Sequence, residues 1–117
     1  GGNLGTATVT NAVYRNIGGM IHAKCKLTNI GTAGMTGGSN IYVQGLPVAA
    51  ENDSDGIMSF SHFTPNASGI GIVPSVDSGA THFKFKELIN GGTYINANVN
   101  QFTSGTADIW ISVVYPS

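Results

Sequence analysis

Met20-Ile21-His22-Ala23-Lys24-Cys25-Lys26-Leu27-Thr28 decides the fold class. Ile21, Ala23, Cys25 and Leu27 take every second place, and His22, Lys24, Lys26 and Thr28 stand between them. A period of two marks a strand buried on one face, because successive side chains of an extended chain point to opposite sides. Upstream, across residues 6–15, Ala7, Val9 and Val13 alternate with Thr8 and Thr10. Between the two runs lies Asn16-Ile17-Gly18-Gly19, a turn sequence, since glycine reaches positive φ without steric cost. The pair reads as a β-hairpin.

The same pattern recurs outward from this hairpin. Short alternating runs occupy 40–45 (Ile41, Val43), 57–63, 69–73 and 81–87. Residues 93–99 set Ile95, Ala97 and Val99 against Asn96 and Asn98. Residues 106–115 set Ile109, Ile111 and Val113 against Asp108, Trp110, Ser112 and Val114. Gly, Asn, Ser and Pro separate the runs, and no stretch repeats at the i, i+3, i+4 spacing of a helix. About eight short strands at this spacing predict an all-β, antiparallel, jelly-roll-like sandwich.

Length and composition bound the rest. A chain of 117 residues has room for one core, expected over residues 6–117, with residues 1–5 reading as a Gly-rich linker or a cut edge. Charged residues make up 9% of the chain and the net charge is −1, whereas about 25% charged is usual. That balance argues against disorder and against binding driven by phosphate neutralisation, so no nucleic-acid partner is expected. The longest apolar runs fall far short of the ~20 residues of a membrane span, so no membrane insertion is expected. Cys25 is the single cysteine and shares the apolar face of its strand, which reads as a small core residue.

Catalytic signals are weak. No Gly-x-Ser-x-Gly elbow is present, and His22, His62 and His82 lack metal-ligand spacing. Glu51, Asp53 and Asp55 share one Asn/Ser/Gly loop at 49–56, which reads as solvated; the other reading is a calcium loop without its closing glutamate. No enzyme activity, metal or cofactor is expected.

Two stripes do carry information. His22-x-Lys24-x-Lys26 and His82-x-Lys84-x-Lys86 hold four of the five basic residues, each on one strand face. Like charges set opposite one another destabilise a sheet, so either the stripes lie apart or an anion sits between them. They read as solvent faces, or as contacts with an acidic partner. That partner would be the Glu51/Asp53/Asp55 loop of a neighbouring subunit or an anionic surface glycan. On the last strand Trp110 and Val114 point away from the Ile109/Ile111/Val113 face, as in a covered central strand or a subunit interface. A sugar-stacking platform is the other reading of Trp110, with Tyr42 and Tyr94 as further candidates.

Three segments resemble the C-terminal domains of tailed-phage tail fibres and tailspikes. Tyr14-Arg15-Asn16-Ile17-Gly18-Gly19-Met20-Ile21-His22 is similar to their Tyr-x-x-Ile-Gly hairpin. Ile41-Tyr42-Val43-Gln44-Gly45-Leu46-Pro47-Val48 resembles the strand followed by Gly-Leu-Pro, and Ala107-Asp108-Ile109-Trp110-Ile111-Ser112-Val113-Val114-Tyr115 resembles the closing strand. The anchors spread from Thr6 to Tyr115, and residues 49–78 match nothing in that pattern. The resemblance implies a homotrimer at the distal tip of a fibre on the virion, facing the extracellular medium. Such domains trimerise the fibre, and some bind bacterial surface polysaccharide or lipopolysaccharide. Two other classes stay open: a purely structural trimerisation or virion decoration domain, and a monomeric carbohydrate-binding module appended to a hydrolase.

Overall fold

Ile17 and Met20 pair across Gly18-Gly19, and the two glycines hold φ values of 61° and 86°. Consecutive positive φ values make the two-residue turn whose twist matches that of the strands it joins. The Asn16 side chain locks it by accepting the Gly19 N–H at 3.0 Å. The computed structural model describes residues 5–117; residues 1–4 of the expected linker lie outside the described residues.

The hairpin comprises β1 (Thr6–Ile17) and β2 (Met20–Gly31). Then follow β3 (Tyr42–Gln44), β4 (Ser54–Asp55), β5 (Ile57–Ser61), β6 (Gly69–Val76), β7 (His82–Ile89), β8 (Ile95–Asn96), a 3-10 turn at Val99–Gln101 and β9 (Ala107–Pro116). Nearly everything is β, in two antiparallel sheets. The first has the order β1-β2-β9-β5. The second has the order β3-β7-β6-β4, with β8 beside β3 along the same edge of β7. No helix among the described residues is long and apolar enough to cross a membrane.

Alternation explains why the sheets pack. Ile21, Ala23 and Leu27 of β2 and Ile109, Ile111, Val113 and Tyr115 of β9 are buried. They share one core with Ile72 and Val76 of β6 and Phe83 and Phe85 of β7. Fully burying each large apolar side chain contributes roughly 1.5–3 kcal/mol, so this shared core holds the sheets together. Tyr115 adds a polar tie by donating its hydroxyl to the Val48 carbonyl at 2.9 Å, and burial holds its phenol pKa above the ordinary value.

Three expectations change. Ala7, Val9 and Val13 do not share a face, because one extra residue enters β1 between Thr10 and Val13. Asn11 takes φ 54° at that bulge, and beyond it Val13 opposes Lys24 whereas Val9 opposes Leu27. Every residue of β1 is exposed, so it adds nothing to the core. Residues 93–99 form a two-residue strand and a 3-10 turn instead of one strand. Asn98 caps that turn by accepting the Asn100 N–H, and the Gln101 side chain accepts the Asn98 N–H in return. Asn at a helix start competes with strand pairing in this way. Lastly, the loop expected at 49–56 contains β4, whose Asp55 pairs with Ser75.

Candidate functional site

Register across the first sheet sets two rows side by side on its outer face. Val13, Lys24, Ser112 and Ile57 form one row; Thr10, Lys26, Trp110 and Ser59 form the next. Side chains two residues apart on a strand share a face, so the rows adjoin. Between them runs a groove of about 610 Å³ bordered by Lys24, Lys26, Trp110, Ile57, Ser59 and Ser112. Lys26 Nζ stands 4.4 Å from the Trp110 ring centroid, within cation–π range. The ion pairs among the described residues are Lys84–Asp77 and Lys86–Asp55, which leaves Lys24 and Lys26 without a carboxylate. His22 lies farther along the same face, between Arg15 and Val114.

The second stripe lies on the opposite outer face of the molecule. His82, Lys84 and Lys86 alternate with the buried Phe83, Phe85 and Glu87, so they point away from the core. Of the two possibilities, the stripes therefore lie apart. An anion does meet the second one, and it comes from the chain itself: Lys84 Nζ donates to Asp77 at 2.8 Å and Lys86 Nζ to Asp55 at 3.0 Å. The hydrogen bond to Asp77 raises the Lys84 pKa above its ordinary value, although partial burial opposes it. Burial pushes the Asp55 carboxyl up, but the Lys86 hydrogen bond and the charges of Lys86 and Lys84 together leave it below the ordinary value. Lys86 also lies 4.6 Å over the Tyr94 ring, and the Tyr42 ring meets His82 edge-on at 4.7 Å. Tyr42 and Tyr94 thus belong with the second stripe, on the far side from Trp110.

The Asp53 and Asp55 carboxylates turn to different partners, and Glu51 joins them through its backbone. Asp55 goes to Lys86, Asp53 accepts the Ser78 N–H at 2.8 Å, and the Glu51 backbone carbonyl accepts the Ser78 hydroxyl at 2.8 Å. These bonds clamp the loop onto the turn between β6 and β7. Among the described residues no group of three His, Cys, Asp or Glu is placed to hold a metal ion.

Sequence reasoning missed two features. Glu87 is buried, and its carboxylate accepts the Asn66 N–H at 2.8 Å, the Asn66 side-chain amide and the Gln101 side-chain amide at 2.8 Å. Buried carboxylates are retained when hydrogen bonds satisfy them, and this one fastens residues 64–66 and the 3-10 turn to β7. A Cβ at Gly69 would overlap the Glu87 carboxylate, hence the glycine. The signal was present: in His82-Phe83-Lys84-Phe85-Lys86-Glu87, the glutamate takes the inward slot. The other missed feature is the bare strand β1, which no alternation pattern reveals.

Chemically, the groove offers two ammonium groups, two hydroxyls and an indole, and none of its lining side chains is a carboxylate or an imidazole. Cys25 also borders the groove but sits half-buried on the inward side of β2 against the core, where burial raises its thiol pKa. That set has the chemistry to hold an anion beside a flat apolar surface. It has no acid–base pair for proton transfer. No family model, curated protein or solved structure matches this chain, so its own geometry carries the reading of the site.

Proposed function

We propose that the chain is the distal-tip domain of a tailed-phage tail fibre or tailspike, a jelly-roll-like homotrimer displayed on the virion that recognises host-surface glycan without catalysis. The ligand class is bacterial surface polysaccharide or lipopolysaccharide, met by the outer face of the β1-β2-β9-β5 sheet. One observation carries this reading: Trp110 and the uncompensated Lys24 and Lys26 border a single groove of about 610 Å³. A half-exposed indole offers a flat apolar face, and the flanking ammonium and hydroxyl groups suit a polar, acidic saccharide. Three weak sites on one fibre gain strongly by avidity without any new contact.

Binding to glycans and to intact bacteria, measured with the oligomer, tests the reading. Trp110→Ala should weaken glycan affinity at least about tenfold, about 1.4 kcal/mol, while the oligomeric mass stays constant. Unchanged affinity in that variant sinks the glycan site. The second reading, a fibre cap without a receptor, is favoured by the exposed strand β1, which suits assembly better than sugar binding. It prevails if the intact oligomer binds neither glycans nor cells. A monomeric mass together with glycan binding would instead favour a carbohydrate-binding module.

A further inference from the structure

β1 is held by a single neighbour. All twelve of its residues are exposed, and among the described residues β2 is the one strand that contacts it. Ordering a backbone residue costs roughly 1–2 kcal/mol, and a strand that buries no side chain has little to offset that. Val9, Val13, Tyr14 and Ile17 are each more than half exposed. Register divides them between the faces: Val13 and Ile17 oppose the outward Lys24 and Met20, while Val9 and Tyr14 oppose the inward Leu27 and Ala23. Long free edges are normally protected by lysine, proline or inward charge, yet β1 has no proline and Arg15 as its one charge. A glycan or another flat surface covers one face. Covering both faces and the edge takes another polypeptide.

The rest of the sheet indicates which polypeptide. β5 forms its opposite edge and pairs with β9 alone. Each pairing from β1 through β2 and β9 to β5 is antiparallel, so β5 runs against β1. A neighbour's β5 laid along β1 therefore continues the sheet with its antiparallel order unbroken. The bulge splits β1 so that residues 13–17 form one straight run, equal in length to the five residues of β5. Ile57 is 73% exposed and supplies an apolar contact, while Ser59 and Ser61 bring no charge against Arg15.

We propose that β1 of one copy pairs with β5 of the next, head to tail, joining the four-stranded sheets into a closed ring. The inference rests on the assembly half of the function proposed above and names the strands that carry it. Such a contact uses two different patches and closes when the rotation between copies completes a circle.

Light scattering on wild type and two double variants, Val13→Glu/Ile17→Glu and Val9→Glu/Tyr14→Glu, tests it. Because these positions are exposed in a single copy, each pair should yield monomers with an unchanged circular dichroism spectrum and association weakened at least about 100-fold. A wild type that stays monomeric at high micromolar concentration overturns the assembly reading and this inference together. An oligomer that survives either pair overturns the inference and leaves the assembly reading standing. Hydrogen exchange on the wild type needs no variant: β1 amides should be protected in the oligomer and lose protection on dilution. Fast exchange of β1 within the oligomer overturns the proposal. In a Cys25→Ser background, mixed Arg15→Cys and Ser59→Cys copies treated with a short bismaleimide should link 15 to 59 between copies. Links from 15 to 15 mean a two-fold contact and overturn the head-to-tail arrangement.

Discussion

β2 and β7 carry the same outward pattern, His-x-Lys-x-Lys, and meet opposite fates. On β7 each lysine finds a carboxylate from its own chain, one of them 31 residues away in sequence. On β2 the lysines face an open groove beside Trp110. Both strands obey the alternation rule, so that rule states which face a side chain takes and is silent about what it meets there. The difference comes from the β6–β7 turn, which brings Asp77 to Lys84, and from β4. Strand β4 pairs with β6, next to β7, and so carries Asp55 across the second sheet, while the first sheet has no counterpart to it. One stripe is therefore neutralised by its own chain, and the other meets no carboxylate among the described residues.

The sharpest contrast concerns the inward neighbours. Phe85→Ala on β7 should cost about 3–5 kcal/mol in denaturant midpoint measurements, because the ring is fully buried in the shared core. Cys25→Ala on β2, at a half-buried site that loses one sulfur atom, should cost about 1 kcal/mol or less. Equal costs break the reading that Phe85 is packed more deeply than Cys25. Next come the stripes themselves. Lys24→Ala/Lys26→Ala should lower affinity for an acidic glycan about tenfold or more and leave the melting temperature unchanged. Lys84→Ala/Lys86→Ala should do the reverse, keeping affinity and losing about 1 kcal/mol of stability, since partly exposed pairs contribute little each. Titration calorimetry paired with thermal unfolding reads both, and a binding loss in the β7 variant breaks the comparison.

A smaller effect follows from screening. Raising salt from about 50 to about 200 mM should weaken wild-type binding and leave the Lys24→Ala/Lys26→Ala variant nearly insensitive. The smallest effect is on pH. The Asp55 carboxyl lies below its ordinary value of 3.8 in the folded chain, so its contribution is present above that value. It is lost as pH falls through the folded pKa. Asp55→Asn should flatten the acid limb of the stability curve by under about 1 kcal/mol. Lys84 has the opposite sign: its pKa is raised, so its contribution holds below the ordinary 10.5 and fades as pH rises through the folded value.

Much of this was legible residue by residue. Ile21, Ala23 and Leu27 inward with Lys24 and Lys26 outward followed from a period of two, as did the outward Trp110 on β9. The Gly18-Gly19 turn followed from glycine's freedom at positive φ. Asn11 hid the break in β1, since an asparagine at φ 54° makes a bulge that composition does not announce. Likewise Ile95, Ala97 and Val99 alternate as a strand should, yet the Asn98 side chain claims the Asn100 N–H and turns the chain into a 3-10 turn.

The order of residues by itself determined most of the strands, the inward and outward faces of β2, β7 and β9, the low charge and the hairpin that starts the first sheet. These depend on side-chain periodicity and local backbone freedom, which act within a few residues. Tertiary structure alone decided that Lys24, Lys26 and Trp110 border one groove, that Asp55 neutralises Lys86, that Glu87 is satisfied by Asn66 and Gln101, and that β1 stands uncovered. Each of these joins groups far apart along the chain, and pairing between strands, which sets such distances, leaves no periodic trace in the sequence.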